Sequence, residues 1–436
     1  MPRKGREMVS GRQIIAVGRT RRTGDGGIPR WVRIAALIGL LVGLLALAGC
    51  GRAVTAHSGA SATAGARQAS APDSTITQGP QLSWRPITMP STWEGQPPVV
   101  AGSDGDVAYS CAIAHPGGDG AVRILLTRDR GQHWAAGGTI AGLAGANTCW
   151  LAVDDNNPNV VVTTLNTASR GASPGPSTGA AYGSFDGGGT WRALGAHLAI
   201  GHVASYHGTY YAARQYQATI DSPMVGSLSV SSDQMATWQA IGPDQSFAQA
   251  WFWLSPLTGS LLATSGSGDQ NSLVRSDDGG AHWTPVHVPT WAQTILAAPQ
   301  PNGSPWLMCV AAAAGPGSGS GTIPTNLLAC SADGGQTWTT RPGLNLTNRS
   351  PKGFTYAAPA FAFALAGDGA VLATLSNSTA VTQLYRLPAG ASAWQALGAL
   401  SGIASCDYAT GPGAGVLWQR SMDAPNPYAT ASYPSE

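Results

Sequence analysis

Glutamate is nearly missing from this chain. Its 436 residues hold only Glu7, Glu94 and Glu436. Chemistry that needs a positioned glutamate therefore has one candidate away from the two ends, Glu94, in a stretch flanked by Gly and Pro. Lysine is as scarce, with Lys352 alone beyond residue 49. There is no C-x-x-C pair and no Cys/His cluster, so neither a metal site nor a cofactor is expected. No segment carries an apolar period of 3.6, which excludes a helical repeat. The longest apolar run, residues 34–49, spans sixteen residues, short of the ~20 needed to cross a bilayer as a helix.

That run suits the core of an export signal. Residues 1–33 before it are basic and polar, and it ends in Leu47-Ala48-Gly49-Cys50. The ending resembles a bacterial lipobox, which implies cleavage before Cys50 and a lipid on its sulfur. Arg21-Arg22 hints at twin-arginine export. The domain reading is a signal over residues 1–49, a disordered tether rich in Ala, Ser and Gly over 50–80, and a folded domain over 81–436. About thirty tether residues would hold the domain roughly 30 Å from the lipid. The expected location is the outer face of a bacterial cytoplasmic membrane or the cell surface. Residues 1–49 hold nine basic and two acidic side chains, and the remaining 15 basic and 20 acidic ones leave a net charge of −5. A mildly acidic domain with one lysine is a poor match for nucleic acid.

What the chain does have is a repeated octad, Ser/Thr-x-Asp-x-Gly-x-x-Trp. It occurs at residues 127–134, 184–191, 276–283 and 331–338. A fifth copy, 231–238, has Met235 in place of Gly. The residues at the fixed positions are Thr127, Asp129, Gly131 and Trp134; Ser184, Asp186, Gly188 and Trp191; Ser231, Asp233 and Trp238; Ser276, Asp278, Gly280 and Trp283; Ser331, Asp333, Gly335 and Trp338. An eroded sixth unit ends at Trp394. The Trp residues are 57, 47, 45, 55 and 56 residues apart, a spacing that fits four-stranded blades. Short apolar runs at 107–113, 122–127, 160–165, 306–311 and 327–331 read as buried strands bounded by turns. Each octad then falls on the turn between the third and fourth strands of a blade. Asp and Ser/Thr are turn residues because their oxygens bond the local backbone. Gly supplies positive φ, and Trp fills space between sheets. The expectation is structural joints rather than catalytic acids.

The octad resembles the Asp-box, or BNR, repeat of sialidase-like propellers, over roughly residues 81–436. The stretch 151–160, Leu-Ala-Val-Asp-Asp-Asn-Asn-Pro-Asn-Val, is similar to a strand turn of photosystem II assembly factors, sortilin-type receptors and xyloglucanases. The resemblance implies an all-β propeller. Seven blades are expected, six being the alternative, with an N-terminal strand at 82–86 joining C-terminal strands at 403–409 and 415–420 to close the ring.

A sialidase of this family would carry three arginines, an Asp acid/base and a Tyr nucleophile activated by Glu. The glutamates do not supply that partner, and the Arg-Ile-Pro motif is absent; Trp84-Arg85-Pro86-Ile87 only scrambles it. The functional expectation is a monomeric binder of a protein, peptide or glycan. A glycoside hydrolase, xyloglucanase-like or sialidase-like, is the alternative, and would need two facing carboxylates. Function should sit on the face opposite the octads, where the loops around 167–179, 215–226, 312–324 and 342–356 are long. Tyr216 and Trp291, in expected loops, and nearby Arg214 are the candidate contacts, whereas Trp251 and Trp253 read as packing between blades. Among the cysteines, Cys309 and Cys330 fall on the second and third strands of one blade, a placement that would let them face each other, and Cys111 and Cys149, on adjacent blades, are the weaker candidate pair. Each pair reads either as a disulfide or as small buried apolar side chains. Cys406 is left over.

Overall fold

The computed structural model describes residues 75–82, 85–87, 89–90, 99–101, 105–114, 121–140, 143–167, 179–216, 225–242, 252–265, 272–289, 292, 294–298, 300, 306–312, 327–344, 360–366, 368–376, 381–401, 404–408, 416–421 and 428–432. Cys50 and the proposed signal lie outside them.

All described elements are strands. β1 (Thr75–Gln78) and β2 (Arg85–Pro86) come first. The first sheet is β3 (Val99–Ala101), β4 (Val107–Ile113), β5 (Val122–Thr127) and β6 (Ala135–Ile140). The second is β7 (Thr148–Val153), β8 (Val161–Asn166), β9 (Gly179–Ser184) and β10 (Arg192–Ala196). The third is β11 (Leu198–Tyr206), β12 (Thr209–Tyr216), β13 (Val225–Ser231) and β14 (Gln239–Ala240). The fourth is β15 (Phe252–Leu254), β16 (Leu261–Ser265), β17 (Ser272–Ser276) and β18 (Thr284–Val286). The fifth is β19 (Thr294–Ala298), β20 (Leu307–Ala312), β21 (Leu327–Ser331) and β22 (Thr339–Arg341). The sixth is β23 (Ala360–Leu365), β24 (Val371–Ser376), β25 (Val381–Leu387) and β26 (Ala393–Ser401), with β1 added outside β26. The last is β27 (Ala404–Tyr408), β28 (Val416–Ser421) and β29 (Tyr428–Ser432), completed by β2 from the other end of the domain.

Within each of the first six sheets, consecutive strands pair antiparallel, and consecutive sheets stack face to face. The stacking follows from strand periodicity, since alternate side chains face opposite neighbours. Leu261 joins the core shared by the third and fourth sheets, and Leu262 joins the one shared by the fourth and fifth. The first core, between the first two sheets, combines Tyr109, Ile124 and Ile140 with Val153, Val161 and Leu165. The last described core combines Leu296, Ala311 and Leu328 with Phe363, Val371 and Trp394. β27 lies against β3, and β2 pairs antiparallel with β29, Arg85 opposite Thr430. The fold is a β-propeller closed by a strand from the N-terminal side. β29 was not among the strands expected from sequence.

The stretch 50–80 needs a correction at its end. Thr75–Gln78 is not tether but strand β1, parallel to β26. The Ala/Ser-rich composition hides a short β-branched run whose Ile76 packs on the core.

Candidate functional site

Each octad builds the same turn. The Ser or Thr hydroxyl donates to an Asp oxygen at 2.7–2.8 Å. It accepts the N–H of the fifth residue at 2.8–2.9 Å. The same Asp oxygen accepts the N–H of the seventh residue at 2.9 Å. The other Asp oxygen meets that residue's side chain at 2.5–2.7 Å: His133, Thr190, Thr237, His282 and Thr337. Sequence reasoning missed this seventh position, although His or Thr stands there in all five copies. The fifth residue has φ between 71° and 96°, including Met235. Met235 pays no solvent exposure for it, since its side chain is fully buried between the second and third sheets.

These bonds set the acidity of the carboxyls. Partial burial of Asp129 is outweighed by the His133 N–H and ring and the Thr127 hydroxyl, which bring its pKa to about 2. The Thr190 N–H and hydroxyl, then Ser184, hold Asp186 at about 2. The seventh residue, with the octad Ser, lowers Asp233, Asp278 and Asp333 in the same way. Such groups are ionised at neutral pH and cannot serve there as general acids.

Three of the Trp residues latch neighbouring sheets together. Trp283 Nε1 donates to Ile241 O at 2.6 Å, Trp338 to His287 O at 2.8 Å and Trp394 to Pro342 O at 2.9 Å. Each acceptor follows the outer strand of the preceding sheet. Between the first two sheets, Gly138 N–H donates to Gly188 O at 2.6 Å. The eroded sixth unit lacks the Asp, and Arg341 of the preceding sheet bonds its Pro388 and Ala391 carbonyls at 3.1 Å instead.

A second polar group lies at the turn between β7 and β8. Asp154 has no exposed surface, and its Oδ1 accepts N–H groups from Asn156, Asn157 and Ser205 at 2.9–3.2 Å. Burial, only partly offset by bonds from Ser205 and Asn156, raises its pKa to about 6. Next to it, Asp155 Oδ2 lies 2.7 Å from Nε2 of His202, whose buried ring stacks on Phe252 at 4.3 Å. Asn156 Nδ2 reaches the Ser205 and Leu254 carbonyls. One turn thereby ties three sheets. Nothing in the sequence links residues 47 positions apart such as Asp155 and His202. Among the described residues, no group of three His, Cys, Asp or Glu is placed to hold a metal.

The sequence-derived contacts fall differently. Arg214 lies in β12 with its guanidinium 4.9 Å from the Trp238 ring centre, so it contributes to packing. Tyr216 is not in a loop: it ends β12, opposite Leu198 and Val225, and its side chain lies outside the described residues. Trp291, Trp251 and most of the long loops also lie outside them. Trp253 packs on the core between the fourth and fifth sheets. Cys309 and Cys330 are paired in register and disulfide-bonded, and a second disulfide joins Cys111 to Cys149 across the first two sheets. The side chain of Cys406 is outside the described residues. An aromatic that sequence reasoning passed over is Trp150, 47% exposed on β7 in the half of the strand away from the octads. Its neighbours in sequence are Cys149, which is buried, and Leu151, which packs on the core, and strand alternation leaves Trp150 on the other side.

The chain matches no family model and no curated protein. Similar solved structures include YCF48 bound to D1 peptide, at 13% identity over 83% of this chain and 98% of that one, with a TM-score of 0.45. YCF48 from Cyanidioschyzon merolae is 14% identical over 81% of this chain and 99% of that one, with a TM-score of 0.43. The β-propeller domain of the Trilobed protease from Pyrococcus furiosus is 9% identical over 77% and 92%, also with a TM-score of 0.43.

Proposed function

We propose that this propeller is exported, anchored through a lipid on Cys50, and binds a protein, peptide or glycan as a monomer without transforming it. Its octads are Asp-box joints. The observation that supports binding over catalysis is the employment of the described aspartates. Five brace octads, and Asp154 is enclosed in its turn. Asp106 pairs with Arg130, Asp155 with His202, Asp277 with Arg275 and Asp368 with Arg386. Glycoside hydrolysis asks for two carboxyls turned toward a substrate. Trp150 offers instead an exposed aromatic face of the kind that stacks on sugars and apolar side chains.

The test is a panel of glycans and peptides applied to the chain from Thr75 onward, scored for binding and for product. Binding without product is expected, and Trp150→Ala should weaken it at least tenfold with no change in melting temperature. Turnover of any panel member would overturn the reading. For the anchor, Cys50→Ala should abolish incorporation of labelled fatty acid and release the chain from membranes; undiminished membrane retention refutes it.

A further inference from the structure

Among the described residues, β1 covers the rim of one sheet only. It runs parallel to β26 in register from Thr75 opposite Ala393 to Gln78 opposite Ala396. The first five sheets end, among the described residues, on their own fourth strands β6, β10, β14, β18 and β22. Closure of the ring does not call for β1, because β2 completes the last sheet on β29. β26 also differs from its counterparts in length. It has nine residues, against six, five, two, three and three. A long outer strand offers a row of backbone donors and acceptors that another strand can pair with.

The contacts define what fits. Ile76 packs against the core that contains Tyr385 and Trp394. The Thr77 hydroxyl donates to Trp394 O at 3.2 Å, and Gly79 N–H to Ala396 O at 3.0 Å. A Cβ on Gly79 would stand 2.8 Å from Cβ of Gln395, so the covering chain must be glycine there. The hold is slight: a four-residue parallel ladder, weaker per residue than an antiparallel one, the Gly79 bond and a longer one from Leu82 N–H to Leu397 O at 3.4 Å, and one apolar anchor, with Thr77 and Gln78 exposed. β26 itself is fixed from within by β25 and by the Trp394 latch to Pro342.

We propose that the outer edge of β26 is a peptide-accepting edge and that β1 is its displaceable cover. An extended segment of a partner protein, patterned Thr-Ile-Thr-x-Gly, takes the place of β1 as a parallel strand. Backbone bonds supply affinity and the Ile seat and Gly passage supply selectivity. This surface is on a different sheet from Trp150 and stands or falls independently of it. Because β1 is joined to β2 by a few residues, it competes at an effective concentration on the order of millimolar, and a partner segment gains access as β1 opens.

Two measurements test it. In the unaltered full chain, amide hydrogen exchange at Gly79 should be at least 100-fold faster than in the β25–β26 ladder, showing that β1 opens by itself. Equal protection overturns the proposal. A fluorescent peptide, Thr-Ile-Thr-Gln-Gly-Pro-Gln-Leu, should bind the full-length Ile76→Asp variant at least tenfold more tightly than the unaltered chain, and the same peptide with Asp for Ile should not bind. Equal binding to both chains, or binding to neither, overturns it.

Discussion

Asp154→Asn should erase one limb of the pH dependence of stability. The Asp154 carboxyl is raised from 3.8 to about 6, first by burial. The folded state therefore holds its proton more tightly than the unfolded state does. The stabilising contribution is complete below pH ~4 and is lost as pH climbs through about 6. Two units at ~1.4 kcal/mol each give a loss of about 3 kcal/mol between pH 4 and pH 7. Asparagine keeps the oxygen that receives the Asn156, Asn157 and Ser205 N–H groups but does not titrate. Its amide brings a fixed cost, constant across pH, which drops out of the comparison. The octad carboxyls have lowered pKa values and lose their contribution only as pH falls below ~4, in both proteins alike. The assay is urea unfolding of both chains at half-unit steps from pH 4 to pH 8. The difference in stability should move by about 3 kcal/mol in favour of the variant as pH rises. Parallel curves would refute a buried, penalised carboxylate at this turn.

Ser276→Ala removes the acceptor of the buried Gly280 N–H and should cost about 1–3 kcal/mol, while Ser276→Thr should be nearly neutral because Thr127 does the same work in the first octad. Equal denaturation midpoints for the Ala variant and the parent would contradict the joint. Met235→Gly restores the octad consensus yet should destabilise. It relieves ~1 kcal/mol of positive-φ strain but empties a fully buried site, at ~2–5 kcal/mol. A more stable Gly variant in the same unfolding assay would show that the backbone dominates there.

The octads were legible because a turn braced by its own side chains writes its whole mechanism into eight consecutive residues. Trp394 was legible for a related reason, since its spacing survives although Arg341 has taken over the bracing. Tyr216 was misplaced because Asp221-Ser222-Pro223 after it signals a turn, while its pairing with Leu198 depends on a strand eighteen residues earlier. β1 was hidden for the same physical reason: four residues carry too little pattern, and only the distant β26 makes them a strand. The pairing of Asp155 with His202 is written nowhere locally. It exists because the stacking of sheets brings a turn and a neighbouring strand together.

The direction of the indole latches has a bearing on how the chain is made. Each Trp is synthesised after the carbonyl that receives it: Ile241 waits for Trp283, His287 for Trp338, Pro342 for Trp394. During synthesis the rims of the third, fourth and fifth sheets thus lack these bonds until the Trp of the next sheet is made. The last sheet is finished by Arg85–Pro86, a strand that, β1 apart, is made before all the others.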